Sequence, residues 1–370
     1  MLHSVPDLLR SGGAFLVVLG VLVFFHELGH YLAARACGVH VEAFSIGFGR
    51  AITTWTDRHG TIWRLSWLPL GGYVKLHGQE RPEDAPEEVR ARWLPGRTFH
   101  EKSVGRRAIV VAAGPAANFL LAAVFFSLLY ATAGRPVTLP VVGEVVAHSA
   151  AAHAGMAAKD RIVAIDGTPI TTFEDIQRIV SAHPATKMDV TVRRDHHDVH
   201  LAVTTDTQQV GGKQIGMLGI RGGAVDYVRM GPVQAIGAGI DQTWTVTGDT
   251  LHALGQMLGG QRGTGELGGP LRIAQMSGQV AELGLASLIS FIAVLSINLG
   301  LINLFPIPVL DGGHLLFFLA EAVRGRPIPQ RAQEYGYRAG FALLAGLFVF
   351  ATWNDLSHLG LVHWVAHLLG

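Results

Sequence analysis

The chain has 370 residues, 49% of them hydrophobic and 15% charged, and its mean hydropathy is +0.34. Those values fit a polytopic membrane protein with a soluble portion. A formal net charge of +1 gives no field to attract nucleic acid or an acidic substrate, and Cys37, the one cysteine, excludes an internal disulfide and a cysteine-rich metal site.

The first predicted element is a membrane span over 11–33. From Gly12 to Phe25 there are only Gly, Ala, Val, Leu and Phe residues, and then His26-Glu27-Leu28-Gly29-His30 follows. Positions i and i+4 share a helix face, so His26 and His30 can offer one nitrogen each to a single metal, with Glu27 beside them to handle a proton. Fourteen apolar residues at ~1.5 Å each cover only part of a ~30 Å hydrocarbon core, which puts His26 inside the bilayer, where polar groups are costly and usually functional. The segment is no cleavable signal, because it runs straight into the metal motif without a small-x-small site.

Residues 41–48, 61–68 and 72–76 read as short strands, rich in aromatic and β-branched residues and divided by Gly and Pro. The acidic run from Glu80 to Arg92 reads as a solvated loop, and 108–134 as a second span. From 137 to about 222 the chain turns polar with strand-like alternation. Val141–Val145 and Asp160–Ile165, a tight turn at Asp166-Gly167, a helix over 172–181 and strands at 190–192 and 200–203 together resemble a PDZ domain. His196, His197 and His200 read as part of a solvated polar turn. Residues 233–258 have the spacing of an amphipathic surface helix, broken at Gly259-Gly260, and Leu267-Gly268-Gly269-Pro270 leads to the third span over 284–310. A fourth span covers 339–356.

Twelve lysines and arginines, from Arg35 to Arg107, separate the first two spans, and Arg324, Arg326, Arg331 and Arg338 separate the last two, whereas only Arg10 precedes the first. The positive-inside rule places both loops in the cytoplasm, the N-terminus and the 135–283 region outside, and the His motif toward the cytoplasmic side.

The third span ends in Asn303-Leu-Phe-Pro306-Ile-Pro308-Val-Leu310-Asp311-Gly312-Gly313. Two His ligands need a third for an open catalytic site, and Asp311 is the candidate. Pro306 and Pro308 break the helix, and irregular backbone at membrane depth survives only under protein or around a water cavity. With Gly114-Pro115-Ala116-Ala117-Asn118, Phe44-Ser45-Ile46-Gly47-Phe48-Gly49 and Leu70-Gly71-Gly72-Tyr73-Val74, these motifs stand in an order that resembles the site-two protease family of intramembrane metalloproteases, in particular the bacterial regulator-of-sigma-E-protease type.

The resemblance implies a four-span helical membrane protein with a membrane-associated β-hairpin and an inserted extracytoplasmic PDZ domain, in the bacterial inner membrane. It further implies one Zn2+ per chain held by His26, His30 and Asp311, Glu27 as general base, and substrate contacts from Asn303, Asn118, Pro306 and Pro308. The expected substrate is a single-span protein such as an anti-sigma factor, taken in extended form on an edge strand of the β region. A peptide end or a substrate ectodomain is expected at the PDZ module; the family commonly carries two in tandem, and the length here allows one. Two His and a carboxylate also suit iron. The competing functional classes are a catalytically silent membrane chaperone, which would be expected to lack Glu27 or a ligand, and an ion-coupled transporter, which would be expected to show an inverted repeat.

Overall fold

The computed structural model describes residues 5–80, 85–210, 213–261, 263 and 268–358; part of the Glu80–Arg92 loop, and Leu267, lie outside them. In chain order the elements are α1 (Val5–Ala36), β1 (Val41–Thr56), β2 (Ile62–Leu76), α2 (Glu87–Arg90), α3 (Val104–Thr132), β3 (Arg135–Thr138), β4 (Val142–Val145), α4 (Ala150–His153), β5 (Arg161–Ile165), β6 (Thr168–Pro169), α5 (Phe173–Ser181), β7 (Lys187–Arg194), β8 (His197–Thr204), β9 (Asp206–Val210), β10 (Lys213–Met217), β11 (Ile220–Gly222) and β12 (Val225–Val228). Helices α6 (Pro232–Leu258), α7 (Pro270–Glu282), α8 (Leu285–Leu304), α9 (Asp311–Arg324) and α10 (Gln330–His358) complete the chain. They form two compact units, one from the residues up to Leu129 together with those from Pro232 onward, the other Tyr130–Gly231.

In the first unit, four helices are long and apolar enough to cross a membrane: Leu9–Ala36, Val104–Thr132, Leu285–Leu304 and Gln330–Ser357. The third stops at Leu304 rather than 310, because Pro306 and Pro308 supply no N–H to continue it. The fourth starts nine residues earlier than its hydropathy indicates, since its first turns are polar and carry an Arg338–Glu334 pair at 2.6 Å. Helix α1 ends in a Schellman motif: Val39 N–H donates to the Ala34 carbonyl at 2.8 Å and Gly38 N–H to Arg35 at 3.0 Å, with Gly38 at φ +73°. Helix α7, read from sequence only as a lead-in, packs against α1, with Gly278 over Ser11. Its N-terminus is capped from a distance, as the buried Asp355 carboxylate of α10 accepts the N–H groups of Gly269 (2.8 Å) and Arg272 (3.1 Å).

The three predicted short strands are two long, bent ones. Residues 43–46 of β1 register with Lys75 to Gly72 on one side and with Ile62 to Leu65 on the other, while Ala51 to Thr56 pair with Ser66 to Ile62. The end of β2 is therefore an edge. Phe44, fully buried, stacks on Trp63 at 4.3 Å and meets Tyr31 and Phe24 of α1 edge-on at 5.9 Å, which fixes the sheet against the first span. At the turn, Asp57 Oδ2 accepts from Tyr31 (2.9 Å) and Trp63 (3.1 Å), and Oδ1 from the backbone of His59 and Thr61.

The second unit has a sheet of order β6-β5-β7-β8 packed with α5 around Ile162, Ile165, Val190, Val192 and Val203. Asp166 (φ +47°) and Gly167 (φ +75°) make the tight turn their sequence signals. Thr172 and Asp175 form a capping box on α5. The buried Asp160 receives a bidentate contact from Arg194, both bonds 2.7 Å. His196 lies in the β7–β8 turn, with His197 and His200 on β8, and none belongs to a metal-compatible group among the described residues. The unit runs to 231 rather than 222, because β12 returns to pair with β3, a contact between sequence-distant strands whose Val225, Tyr227 and Val228 are exposed.

Burial would raise the Asp57 pKa, but the hydrogen bonds from Trp63, Tyr31, Thr61 and His59 outweigh it and hold the carboxyl at about 2. A folded pKa below the unfolded one contributes stability that is complete above about pH 4 and is lost as pH falls toward 2. Thermal melts of wild type should lose stability across that window, and in Asp57→Asn this part of the pH dependence should be missing.

Candidate metal centre

The site is built from three helices of the first unit. His26 and His30 stand one turn apart on α1, their rings edge to face with centroids 4.8 Å apart. Asp311 is the first residue of α9, where the helix N-terminus favours a carboxylate. His26 Nε2 lies 3.2 Å from His30 Nε2, and Asp311 Oδ2 lies 3.3 and 3.4 Å from the same two nitrogens. A tetrahedral zinc with bonds of ~2.0–2.1 Å needs ligand atoms about 3.3 Å apart. Asp311 Oδ2 is buried without a hydrogen-bond partner, an oxygen that a cation would satisfy. Among the described residues these three form the one His/Cys/Asp/Glu group with such spacing.

Glycines let the backbones come this close. A Cβ on Gly29 would overlap the Ala113 carbonyl of α3, and one on Gly114 would overlap the His30 imidazole. At these two points α3 comes close enough to α1 for its backbone to touch Gly29 and the His30 ring. On the other side, Cβ atoms on Gly312 and Gly313 would strike the carbonyls of Leu304 and Ile307, so α9 starts flush against the 305–310 loop. Val309 in that loop has φ +99°, an unfavourable value for a β-branched residue and a strain of about 1–3 kcal/mol beside Asp311.

Each candidate ligand is held from behind. His30 Nδ1 donates to the Val110 carbonyl at 2.9 Å, which leaves Nε2 its lone pair. The Asn118 amide faces His26 Nδ1 at 3.3 Å, and the Asn118 carbonyl accepts from Ser296 of α8 at 2.8 Å. Helix α9 is tied to α3 by Arg107, which pairs with Glu321 at 2.6 Å and lies over the Phe318 ring at 5.0 Å. Glu27 is half-buried against the sheet: the Val74 backbone hydrogen-bonds its carboxylate, and only a glycine at 72 leaves room for its side chain.

The other expected site residues lie further out. Asn118 has no exposed surface and no opening toward a substrate. Asn303 is half-buried in the last turn of α8, Pro306 is exposed, and the Pro308 carbonyl is covered by Gly340 of α10. Sequence reading missed the supports at Val110, Ser296, Arg107 and Glu321, which carry no motif of their own. It also missed His314, half-buried one turn beyond Asp311, whose Nδ1 is 3.4 Å from the Tyr337 hydroxyl; its i+3 spacing from Asp311 was the available signal.

A family model described as Peptidase family M50 matches residues 14–347. The chain belongs to that family. It is 44% identical over 358 residues to a protein of Rhizobium meliloti described as a zinc metalloprotease, covering 93% of this chain and 96% of that one. It is 38% identical over 378 residues to metalloprotease MmpA of Caulobacter vibrioides, covering 93% and 94%. The regulator of sigma-E protease RseP of Salmonella typhimurium is 33% identical over 455 residues, covering 95% of this chain and all of the relative. The chain is thus an M50-family metalloprotease and an integral membrane protein, which sets aside a transporter.

Gly114→Ala pushes a methyl group into the His30 ring, and Asn118→Leu removes the polar neighbour of His26. Each should weaken zinc binding about 10- to 100-fold in competition with a chelating dye. Gly105→Ala, in open space on the same helix, should leave it unchanged.

Proposed function

We propose that this M50 metalloprotease is a zinc-dependent intramembrane endoprotease that hydrolyses peptide bonds in the transmembrane segments of single-span proteins. The reading rests on one observation: three donor atoms 3.2–3.4 Å apart on membrane-spanning or membrane-adjacent helices, with Glu27 next in sequence to one of them. One zinc would be held by His26 Nε2, His30 Nε2 and Asp311 Oδ2, and when bound it supplies Lewis acidity to water and to the scissile carbonyl. Glu27 takes the proton that water loses as it adds to the carbonyl carbon, and returns it to the leaving amine. Asn118 acts on His26: turned so that Oδ1 faces Nδ1, its amide accepts the ring proton there and keeps Nε2 free for metal.

A substrate helix must unwind to be cut, since its peptide bonds are shielded. The edge of β2 beside Glu27 offers backbone partners for an extended segment, so that strand addition would deliver a peptide to the metal. Asn303 and Pro306, at the end of α8, are the further candidate contacts. The Salmonella relative's name points to sigma-factor control, and an anti-sigma factor is the substrate class we assign. The second unit, with its capped α5 beside an antiparallel sheet, is read as a single PDZ module that binds a peptide end or screens substrate ectodomains. The basic loops support a topology with the N-terminus and this unit outside the bacterial inner membrane and the metal centre toward the cytoplasm.

Glu27→Gln should retain zinc and lose cleavage of a model transmembrane substrate by at least about 100-fold, whereas His26→Ala should lose both. Zinc-free wild type that cleaves, or Glu27→Gln that cleaves at the wild-type rate, would overturn the assignment. In the Glu27→Gln background, a cysteine at Tyr73 should cross-link to a cysteine near the scissile bond; a series without adducts removes strand addition but leaves the protease.

A further inference from the structure

Where α1 ends, a cavity of about 440 Å3 opens between three stretches of backbone. Arg35 lines it from the last turn of α1, Arg58 and His59 from the β1–β2 turn, His40 from the residue before β1, and Arg97 from the loop that leads to α3. Among the described residues no carboxylate lines it, and the Asp57 carboxylate stands one hydrogen bond behind Arg35, on the Tyr31 hydroxyl. Some basic side chains of this unit are paired, Lys75 with Glu42, Arg107 with Glu321 and Arg10 with Glu282. Arg35, Arg58 and Arg97 make no ion pair among the described residues.

Each of these arginines stands on backbone that is already fixed. The Arg35 guanidinium lies 5.5 Å from the Tyr31 ring centre and donates to its hydroxyl at 3.0 Å, which leaves its remaining N–H groups available. Asp57 holds the turn that carries Arg58 and His59 through the N–H groups of His59 (2.8 Å) and Thr61 (3.0 Å). The Arg97 carbonyl accepts from His40 N–H at 3.0 Å, and Lys102 Nζ, 2.7 Å from the Gly96 carbonyl, fastens the same loop. Three guanidinium groups around one concavity carry more positive charge than the single Asp57 carboxylate behind Tyr31 offsets, which favours a further anion, and their planar forks match phosphate oxygens. Helix α1, a candidate membrane span by length and composition, ends at Ala36, one residue past Arg35, so in a membrane the cavity would stand near the lipid headgroups.

We propose that this cavity binds the phosphate of an anionic phospholipid headgroup. The site is separate from the metal centre and does not depend on the proteolytic reading. The bound lipid would brace the β1–β2 turn against α1, because Arg35, Tyr31 and Asp57 form one hydrogen-bonded chain.

Native mass spectrometry of the full chain released from nanodiscs tests this, with phosphatidylcholine alone or mixed with phosphatidylglycerol. Wild type should retain one phosphatidylglycerol in preference to phosphatidylcholine, and the Arg58→Gln/Arg97→Gln variant should hold it about thirtyfold more weakly. Both substitutions are at exposed positions, and an unchanged melting temperature in phosphatidylcholine would show an intact fold; Arg58→Gln alone serves where the double variant does not fold. Equal retention by wild type and variant overturns the proposal. So does displacement of the lipid by an equal concentration of inorganic phosphate, which would assign the cavity to the free anion.

Discussion

Close approach of backbone at four glycines is the condition on which the candidate metal centre depends. His26 and His30 share a face of α1 by helical geometry alone, but an imidazole pair becomes a site only if a third ligand can reach it. Gly29 and Gly114 remove the side chains that would hold α1 and α3 apart, and Gly312 and Gly313 do the same where α9 meets the loop after α8. At each contact a single methyl group would overlap a carbonyl or a ligand ring. In a lipid environment, where apolar side chains gain little by leaving the solvent, small residues of this kind are the main means of bringing helices together.

The same closeness accounts for the strain. Asp311 must leave the 305–310 loop facing the two imidazoles and at once begin a helix, and Val309 takes a positive φ to make the turn. The cost of about 1–3 kcal/mol is offset by the contacts around it: Gly340 covers the Pro308 carbonyl, and the Arg107–Glu321 pair holds the body of α9 against α3. The Pro308 carbonyl is thus covered by protein, while Pro306 and Val309 of the same loop are exposed, so the rule that irregular backbone at membrane depth must be covered is met only in part within this chain.

Which parts of this were legible in the sequence follows from where each signal lies. The α5 helix was readable to within a residue because its capping box, Thr172 with Asp175, is local. Helix α9 was not recognised as a separate element because Leu310 at its N-cap offers no side-chain acceptor, and α7 was missed because its cap comes from Asp355, more than eighty residues away. The β3–β12 pair escaped for the same reason, since each strand is completed only by a distant partner. In the candidate site, residue types and the i, i+4 spacing pointed to His26, His30 and Asp311, whose donor atoms the fold brings within 3.4 Å of one another, with Glu27 next in sequence to His26. The groups behind them, such as the Val110 carbonyl and Ser296, are ordinary helix residues whose role exists only in the packed structure.

Charge explains why such a centre is tolerable among apolar spans. With the site loaded as proposed, His26 and His30 would bind as neutral imidazoles, the Asp311 and Glu27 carboxylates would sum to two negative charges, and a divalent cation would bring the group to neutrality. Isolated charges at this depth each carry a desolvation penalty of several kcal/mol, whereas a compact neutral cluster with fixed hydrogen bonds avoids most of it. A third histidine in place of Asp311 would leave the loaded centre with an excess positive charge beside the N-terminal end of α9, whose dipole already favours an anion. A carboxylate at the first position of that helix balances the cation and suits the dipole at once. That gives a physical reason for the mixed ligand set, independent of ligand affinity.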